Sequence, residues 1–308
     1  MRRRTVPNTN KSEPIAALAT QLDSAPPTVP TATPSAGTKR AKPARRIAIV
    51  NHKGGVGKTS TTVHLAGALH EMGHRVLLFD CDSQGDLSAV FLRDHDYLPY
   101  SIADIFAGRA IPTSELVRPT AYDNIFIVPA DRRLNLVDKT HFENDPNVVC
   151  LADAVSEVQH DFDFILFDCP PRAHLSAFAA LVAAGEVIVP CQPSQFSVRS
   201  MATLDDEIRI VQQSLNPHLA IRGYFLSMVA SRSKTQETCR DMLVQALGEE
   251  RVFKTSIPLL ATLDTAINVR KPIVYHAKRS KAADIFRTFA TELVAGVPYE
   301  RNAVQAAA

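Results

Sequence analysis

The chain has 308 residues, of which 45% are hydrophobic, 21% are charged and 6% are aromatic, with no Trp. These values are typical of a globular protein and exclude a chain that is disordered or collagen-like throughout. No apolar run approaches the roughly 18 residues that a membrane-spanning helix needs. The five Cys include no C-x-x-C pair, which disfavours a disulfide framework and a Cys-rich zinc or iron–sulfur site. We therefore expect a reducing, cytoplasmic compartment.

The net charge of +2 conceals a basic amino-terminal segment. Residues 1–46 carry nine Lys or Arg and two acidic side chains, a balance of +7, and the remainder carries −5. The segment is rich in Pro, Ser and Thr and has no aromatic residue, so it cannot bury enough apolar area to offset its ordering entropy. We predict a disordered basic tail over residues 1–45, suited to a polyanion such as nucleic acid or an anionic membrane surface. An organellar transit peptide stays open as an alternative.

Buried-strand and helical patterns alternate from residue 46 onwards. Short apolar runs predict strands at 46–51, 76–79, 125–128, 162–167, 187–189, 224–229 and 252–253. Helical periodicity predicts helices at 58–72, 101–107, 132–139, 148–159, 174–184, 198–215, 235–247 and 280–295. This alternation predicts an α/β fold, a doubly wound and mostly parallel sheet with helices on both faces. We predict one domain over 46–296 and a short carboxy-terminal tail over 297–308.

A glycine-rich loop is expected between the first strand and the first helix. It consists of Lys53, Gly54, Gly55, Val56, Gly57, Lys58, Thr59 and Ser60. The ordinary G-x-x-x-x-G-K-[ST] pattern has a Gly where His52 stands, but the three remaining glycines still let backbone amides wrap a phosphate at a helix N-terminus. Lys58 would neutralise the β- and γ-phosphates, and the Thr59 hydroxyl would ligate Mg²⁺. The sequence therefore predicts a nucleotide-binding P-loop.

A second lysine, Lys53, precedes the first by five residues. With it the segment resembles the deviant Walker A motif, K-G-G-x-G-K-[ST], of the superfamily that includes ParA-type partition ATPases, MinD and the nitrogenase iron protein. The resemblance implies that ATP is the nucleotide. It also implies that Lys53 reaches the phosphates of a partner protomer in a nucleotide-sandwich homodimer, so that ATP binding controls dimerisation and Lys53 supplies charge in trans.

Two acidic motifs extend the resemblance. The segment from Asp80 to Asp86 is similar to the family's D-x-D-P-Q-G-N, which implies that Asp82 orients or activates the attacking water. Ser83 and Asp86 depart from the family's Pro and Asn. Asp168 ends an apolar run and is followed by Cys-Pro-Pro, as in the family's D-C-P-P; an acid placed there holds Mg²⁺. The expected Mg²⁺ ligands are Thr59, Asp82 and Asp168.

Motifs further along the chain carry the resemblance over about residues 46–296. They include a strand ending in I-P-x-Q, here Val187-Ile-Val-Pro-Cys-Gln, and a V-F-x-x-x-I-P segment that ends at Pro258. The family analogy places Ile257 and Pro258 on the adenine side of the nucleotide.

The partition branch of the family fits the remaining features best. Paired cysteines of the iron-protein type and a basic amphipathic carboxy-terminal helix of the MinD type are both missing, so stable membrane insertion is not expected. The resemblance implies sequence-independent DNA binding, nucleoid association and a ParB-like or other stimulating partner. Leu259 replaces the arginine that the family usually has after I-P. The candidate DNA-binding residues are Arg232, Lys234, Arg270, Lys271, Lys278, Arg279 and Lys281.

Several functions stay open at this point. The first is a dimerising ATPase that partitions plasmid or chromosome DNA. The second is a related ATPase that positions a protein cargo, such as a chemoreceptor cluster or a division regulator, on the nucleoid. A metabolic ATP-dependent ligase or amidase is a third, against which Lys53 argues because such enzymes need no lysine in trans. The fourth is a MinD-like membrane ATPase.

Overall fold

A sheet of eight strands organises the part of the chain that the computed structural model describes, namely residues 40–93, 99–137, 146–172, 174–192, 198–229 and 233–296. The strands are β1 Arg45–Ile49, β2 Val76–Asp80, β3 Arg118–Pro119, β4 Ile125–Val128, β5 Phe164–Asp168, β6 Glu186–Cys191, β7 Ala220–Val229 and β8 Ile257–Pro258. Their spatial order is β3-β4-β2-β5-β1-β6-β7-β8. All neighbours pair in parallel except β3, which runs antiparallel to β4 at one edge.

Helices connect the strands and cover both faces of the sheet. They are α1 Lys58–Glu71, α2 Asp86–Phe91, α3 Ile102–Phe106, α4 Thr113–Leu116, α5 Leu134–Val137, α6 Cys150–Val158, α7 Leu175–Ala183, α8 Val198–Ser214, α9 Ser233–Leu247, α10 Ala261–Asn268, α11 Ile273–His276 and α12 Lys281–Ala295. Two 3₁₀ turns lie at Pro146–Val149 and Glu249–Arg251. Of the described helices, none is both long and apolar enough to cross a bilayer.

The central strands are buried on both faces, as a parallel sheet between helices requires. Every residue of β2 and β5 is buried. Phe79 and Phe167 pack into the core formed with α3 and α5–α9, whereas Leu78 and Leu166 pack into the opposite core with α1, α2 and α10–α12. Each such side chain stabilises the fold by roughly 1.5–3 kcal/mol. The doubly wound α/β fold predicted from the sequence is confirmed.

The strand predicted at residues 252–253 is wrong. Val252 makes one isolated bridge with Tyr224, and the eighth strand forms later, at β8. The amides of Lys254 and Thr255 donate to the Glu292 carboxylate at 2.6 and 3.0 Å, so they are not available to a strand ladder. The short helices α2, α4, α10 and α11 are absent from the prediction because four to eight residues give too little periodicity. Residues 138–139 of the helix predicted at 132–139 lie outside the described part.

Residues 40–45, assigned to the tail from composition, already contact the sheet. The Arg40 guanidinium forms a bidentate ion pair with Asp163, and the Arg40 amide donates to the His160 carbonyl at 2.7 Å. The Arg45 guanidinium likewise clamps Glu186 at 2.7 and 2.8 Å. Both pairs lie at the amino-terminal edge of the sheet, opposite the edge where the glycine-rich loop begins.

Candidate functional site

The glycine-rich loop joins the carboxyl end of β1 to the start of α1. Gly55 and Gly57 have φ of 73° and 86°, in the left-handed region that favours glycine. A Cβ on Gly57 would lie 3.0 Å from Ser227 Oγ, so a side chain there would be both strained and crowded. Ser227 Oγ donates to the Val56 carbonyl at 2.6 Å and ties the loop to β7. Gly57 has no side chain with which to cap α1, and this leaves the first amides of the helix for an anion.

Lys58 lies inside this loop. It is only 7% exposed, and its ammonium donates to the Lys53 carbonyl at 2.9 Å. Burial lowers the pKa of Lys58, and the nearby carboxylates of Asp168 and Asp82 act in the opposite direction. A buried ammonium next to backbone amides is an arrangement that can neutralise phosphate oxygens.

Lys53 lies at the surface of the same loop. Its side chain is exposed, and its amide donates to Asn51 Oδ1 at 3.0 Å. Asn51 Nδ2 in turn donates to the Pro190 carbonyl at 2.8 Å, at the end of β6. The backbone before the loop is therefore fixed to the sheet, while the Lys53 side chain is available to a group outside the protomer.

Asp168 ends β5 directly beside the first turn of α1. It is 1% exposed, its Oδ1 accepts from Thr62 Oγ1 at 3.3 Å, and its carboxylate also accepts from the Thr59 hydroxyl. Burial, aided by the neighbouring Asp80 carboxylate, raises the pKa of Asp168 to about 8. The predicted pair of Mg²⁺ ligands, Thr59 and Asp168, is thus in direct contact.

Asp80 is a buried acid of this site that the sequence analysis did not single out. It pairs in register with Asp168 across β2 and β5 and is 0% exposed. Its Oδ2 accepts from the Ser88 amide at 2.8 Å and from Ser88 Oγ at 2.6 Å. Burial raises the pKa of Asp80 to about 7. The sequence could have identified Asp80, because it is the first Asp of the D-x-D motif and ends a fully buried strand.

Asp82 lies two residues beyond β2 and is half-buried. Its Oδ1 accepts from the Gln84 amide at 3.0 Å, and its own amide donates to Asp80 Oδ1 at 3.2 Å. Asp86, one of the two departures from the family motif, begins α2, where a carboxylate interacts favourably with the helix dipole. Ser83 is half-buried in the turn before it.

The oxygen ligands at the carboxyl ends of the strands are suited to a hard cation that is also coordinated by a nucleotide. In the described part of the chain no three His, Cys, Asp or Glu side chains cluster closely enough to hold a metal ion unaided. The Thr59 hydroxyl and the Asp168 carboxylate are in contact and offer oxygen atoms only. Mg²⁺ is typically held by one or two carboxylates, a hydroxyl, phosphate oxygens and water, so this donor set suits it.

A cleft beside the loop contains the residues predicted to lie near adenine. Ile257 and Pro258 line it together with Gly57, Ser60 and Met228. Leu259 lies at its rim and is 56% exposed. Met228 has φ of 56°, an uncommon conformation for a residue other than glycine, and such strain often accompanies a functional site.

Five of the seven candidate DNA-binding residues have described side chains, and all five are exposed: Arg270, Lys271, Lys278, Arg279 and Lys281. They flank α11 and the start of α12. A Cβ on Gly67 of α1 would lie 2.3 Å from Pro272, and Arg287 pairs with Glu71 at the end of α1. The basic residues therefore lie beside the second half of α1, away from the loop. Arg232 lies outside the described residues, as does the side chain of Lys234.

Comparisons with known proteins agree with this geometry. An AAA domain family model matches residues 44–221. The sporulation initiation inhibitor protein Soj of Bacillus subtilis is 31% identical over 255 residues, covering 81% of this chain and 98% of that protein. The chromosome-partitioning ATPase Soj of Treponema pallidum is 32% identical over 251 residues, covering 82% and 97%.

Solved structures give the same result. Cobyrinic acid a,c-diamide synthase from Mycobacterium smegmatis, solved with ADP and magnesium and with an ATP analogue and magnesium, has a TM-score of 0.69 at 29% identity, covering 82% of this chain and 94% of that one. The cell division ATPase MinD of Pyrococcus furiosus has a TM-score of 0.64 at 26% identity, covering 82% and 98%. The chain belongs to the ParA/MinD-type family of P-loop ATPases.

Proposed function

We propose that this protein is an ATPase that dimerises on binding ATP and Mg²⁺, binds DNA without sequence preference and partitions plasmid or chromosome DNA. The observation that carries the proposal is the different placement of the two loop lysines. Lys58 is buried and donates to the Lys53 carbonyl, whereas the side chain of Lys53 is exposed. A single-protomer phosphate site requires only the first of these lysines. The second has a role if the triphosphate of another protomer faces it.

Within one protomer, the amides of residues 54–60 and the Lys58 ammonium bind the phosphates. Thr59, Asp82 and Asp168 would hold Mg²⁺, which would neutralise charge on the β- and γ-phosphates. In hydrolysis a water oxygen attacks the γ-phosphorus and the bond to the β–γ bridging oxygen breaks, giving ADP and phosphate. Asp82 orients this water and accepts its proton, for which a half-buried carboxylate beside a buried lysine is suitable.

Ile257 and Pro258 would lie against the adenine ring, because they line the cleft next to Gly57. In the dimer, Lys53 would contact the phosphates bound by the partner subunit and supply positive charge where negative charge develops during hydrolysis.

DNA binding would use the exposed cations from Arg270 to Lys281, with Arg232 and Lys234 as further candidates. The basic segment 1–45 adds sequence-independent phosphate contacts. Such a protein would be nucleoid-associated and would depend on a ParB-like or other partner to stimulate hydrolysis.

The relatives support partition over the other candidates. The Soj of Treponema pallidum and the ParA of Myxococcus xanthus are named as chromosome-partitioning proteins, and they cover 82% and 81% of this chain. A protein cargo positioned on the nucleoid stays a second candidate, because an exposed leucine, Leu259, stands where the family usually has an arginine after I-P. The diamide synthase likeness would favour a metabolic enzyme, but the exposed Lys53 has no role in a reaction confined to one protomer.

DNA binding tested with ATP, ADP and no nucleotide across a salt series decides this proposal. We expect tight, sequence-indifferent binding only with ATP, which weakens steeply as salt rises. Lys58→Ala serves as the nucleotide-free control in the same fold, and it should bind DNA equally weakly in all three conditions. Absence of ATP-dependent binding at low salt would contradict both nucleoid-based functions. If the protein binds DNA with ATP but a centromere-binding protein does not stimulate its ATP hydrolysis, a protein cargo would be favoured.

A further inference from the structure

His52 connects the phosphate-binding loop to helix α8. Its Nε2 contacts Glu207 Oε2, and the two side chains are 25% and 17% exposed. The ordinary P-loop pattern has a Gly at this position, which has no side chain to make such a contact. The loop of this chain therefore has an attachment to a neighbouring helix that a glycine could not provide.

Glu207 is a firm anchor because α8 is fixed on both sides of it. Leu204 and Ile208 are 3% and 1% exposed and pack into the core beneath the helix. Tyr224 Oη of β7 donates to Asp205, two residues before Glu207. A shift of Glu207 would thus require a shift of a packed helix, so the contact restrains His52 more than it restrains α8.

His52 directly precedes Lys53, whose carbonyl accepts a hydrogen bond from the Lys58 ammonium at 2.9 Å. The residue before His52, Asn51, accepts from the Lys53 amide and donates to the Pro190 carbonyl. A displacement of residue 52 would move the Lys53 carbonyl and thereby the Lys58 ammonium.

The contacting atoms of His52 and Glu207 are shielded from water. Both ring nitrogens of His52 and Oε2 of Glu207 are inaccessible to solvent and, within the described part of the chain, have no aligned hydrogen bond. Each group therefore depends on the other for compensation. Removing either partner leaves the remaining one buried and uncompensated, which favours movement of the more mobile member.

We propose that His52 and Glu207 are positioning residues for ATP, and this inference rests on the proposed ATP binding. Their contact fixes the backbone before the loop, so that the Lys53 carbonyl and the Lys58 ammonium are already in place when the triphosphate arrives. Neither side chain touches the nucleotide. The affinity for ATP thus depends on the attachment of the loop to α8.

A double-mutant cycle in the full-length protein tests this inference. We would compare His52→Ala, Glu207→Ala and the double variant by titration calorimetry with a non-hydrolysable ATP analogue. Each single variant should bind about tenfold more weakly, and the double variant no more weakly than either single one, because the two residues act as a unit. Glu207→Gln, which keeps a polar group of the same length opposite His52, should lose less affinity than Glu207→Ala. Single losses that multiply in the double variant, or equal losses for Glu207→Gln and Glu207→Ala, would overturn the proposal.

Two controls separate positioning from general damage. Asp206→Ala changes an acid next to Glu207 that is 63% exposed and pairs with Arg209, and it should leave the affinity unchanged. His52→Gln is a milder variant for use if His52→Ala unfolds, and it should show a smaller loss of affinity with an unchanged melting temperature. Wild-type protein that fails to bind the analogue would defeat the proposed function itself. Wild-type binding combined with independent single effects would defeat only the role of the contact between His52 and Glu207.

Discussion

The Lys58 ammonium donates a 2.9 Å hydrogen bond to the main-chain oxygen of Lys53, so the two lysines of the loop are joined through one carbonyl group. Lys58 is buried beneath the loop, and the side chain of Lys53 is exposed above it. A compact ammonium group can serve only phosphates that it faces. The proposed function assigns the two lysines to different triphosphates, one in their own protomer and one in a partner, and the substitutions below separate these roles.

Lys58→Ala should remove most of the affinity for ATP. The buried ammonium is the main positive charge among the described side chains lining the loop interior, and a charge-assisted contact to phosphate is among the stronger polar interactions. We expect the affinity for a non-hydrolysable analogue to fall about a hundredfold, which corresponds to roughly 2.7 kcal/mol. Titration calorimetry measures this, with Lys254→Ala, an exposed lysine on another part of the fold, as the control. Retained affinity would show that the loop does not bind the triphosphate through Lys58.

Lys53→Ala should leave ATP binding within about threefold of wild type but weaken the ATP-dependent dimer. Its exposed side chain contributes little within its own protomer. If it acts in trans as an arginine finger does, hydrolysis should also fall, by on the order of a thousandfold. Sedimentation with and without the ATP analogue measures dimerisation. A variant that dimerises as wild type does would remove the basis for a contact in trans.

Asp82→Ala should retain ATP-dependent dimers and lose hydrolysis. The carboxylate is half-buried two residues beyond β2, and its Oδ1 accepts from the Gln84 amide at 3.0 Å. Loss of a water-orienting acid typically costs about a hundredfold to ten-thousandfold in rate. Phosphate release measures turnover, and Asp86→Asn, which restores the family residue at an exposed position, is the matched control. Unchanged turnover in Asp82→Ala would assign the water to another group.

The sequence predicts the sheet and the loop well because both rest on local patterns. Fully apolar strands such as β2 and β5, and glycines at fixed spacing before Lys58, are visible without any tertiary information. The environment of the buried acid Asp80 and the contact of His52 with Glu207 depend on segments that are distant in the chain. Val252 looks like a strand residue by composition, but the Glu292 carboxylate captures the amides that follow it. Such competition for backbone donors has no local signature.

Replacing Lys278, Arg279 and Lys281 together by Gln should weaken DNA binding with ATP and reduce its dependence on salt. The three cations are exposed around Ser280, which caps α12 by accepting from the Ala283 amide at 3.2 Å. If each contacts a phosphate, the slope of log affinity against log salt should become shallower by about 2.7. Fluorescence anisotropy across a salt series measures the slope. Arg209→Gln on α8, 60% exposed, is the control and should leave it unchanged. An unaltered slope in the triple variant would place the DNA elsewhere.

His64 should make the protein less stable as the pH falls below about 6.5. It is 0% exposed in the middle of α1, its Nδ1 accepts from the Ile273 amide at 3.0 Å, and its ring packs against Phe286 with centroids 5.0 Å apart. Burial lowers the pKa of His64 to about 3, so the folded protein keeps the ring neutral while the unfolded chain takes up a proton near pH 6.5.

Between these two pKa values the unfolded state binds one more proton, and the free energy of unfolding should fall by about 1.4 kcal/mol for each pH unit. The stability that comes from the neutral, buried His64 ring is fully present above pH 6.5 and is lost progressively towards pH 3. His64→Asn keeps an acceptor for the Ile273 amide but cannot titrate. It should be less stable than wild type at pH 7.5, because ring packing is lost, yet its stability should decline less steeply on acidification. Denaturant unfolding at pH 7.5, 6 and 5 compares the two proteins, and acidic groups common to both cancel in the difference. Equal slopes would mean that the folded protein accommodates a charged ring between α1 and α11.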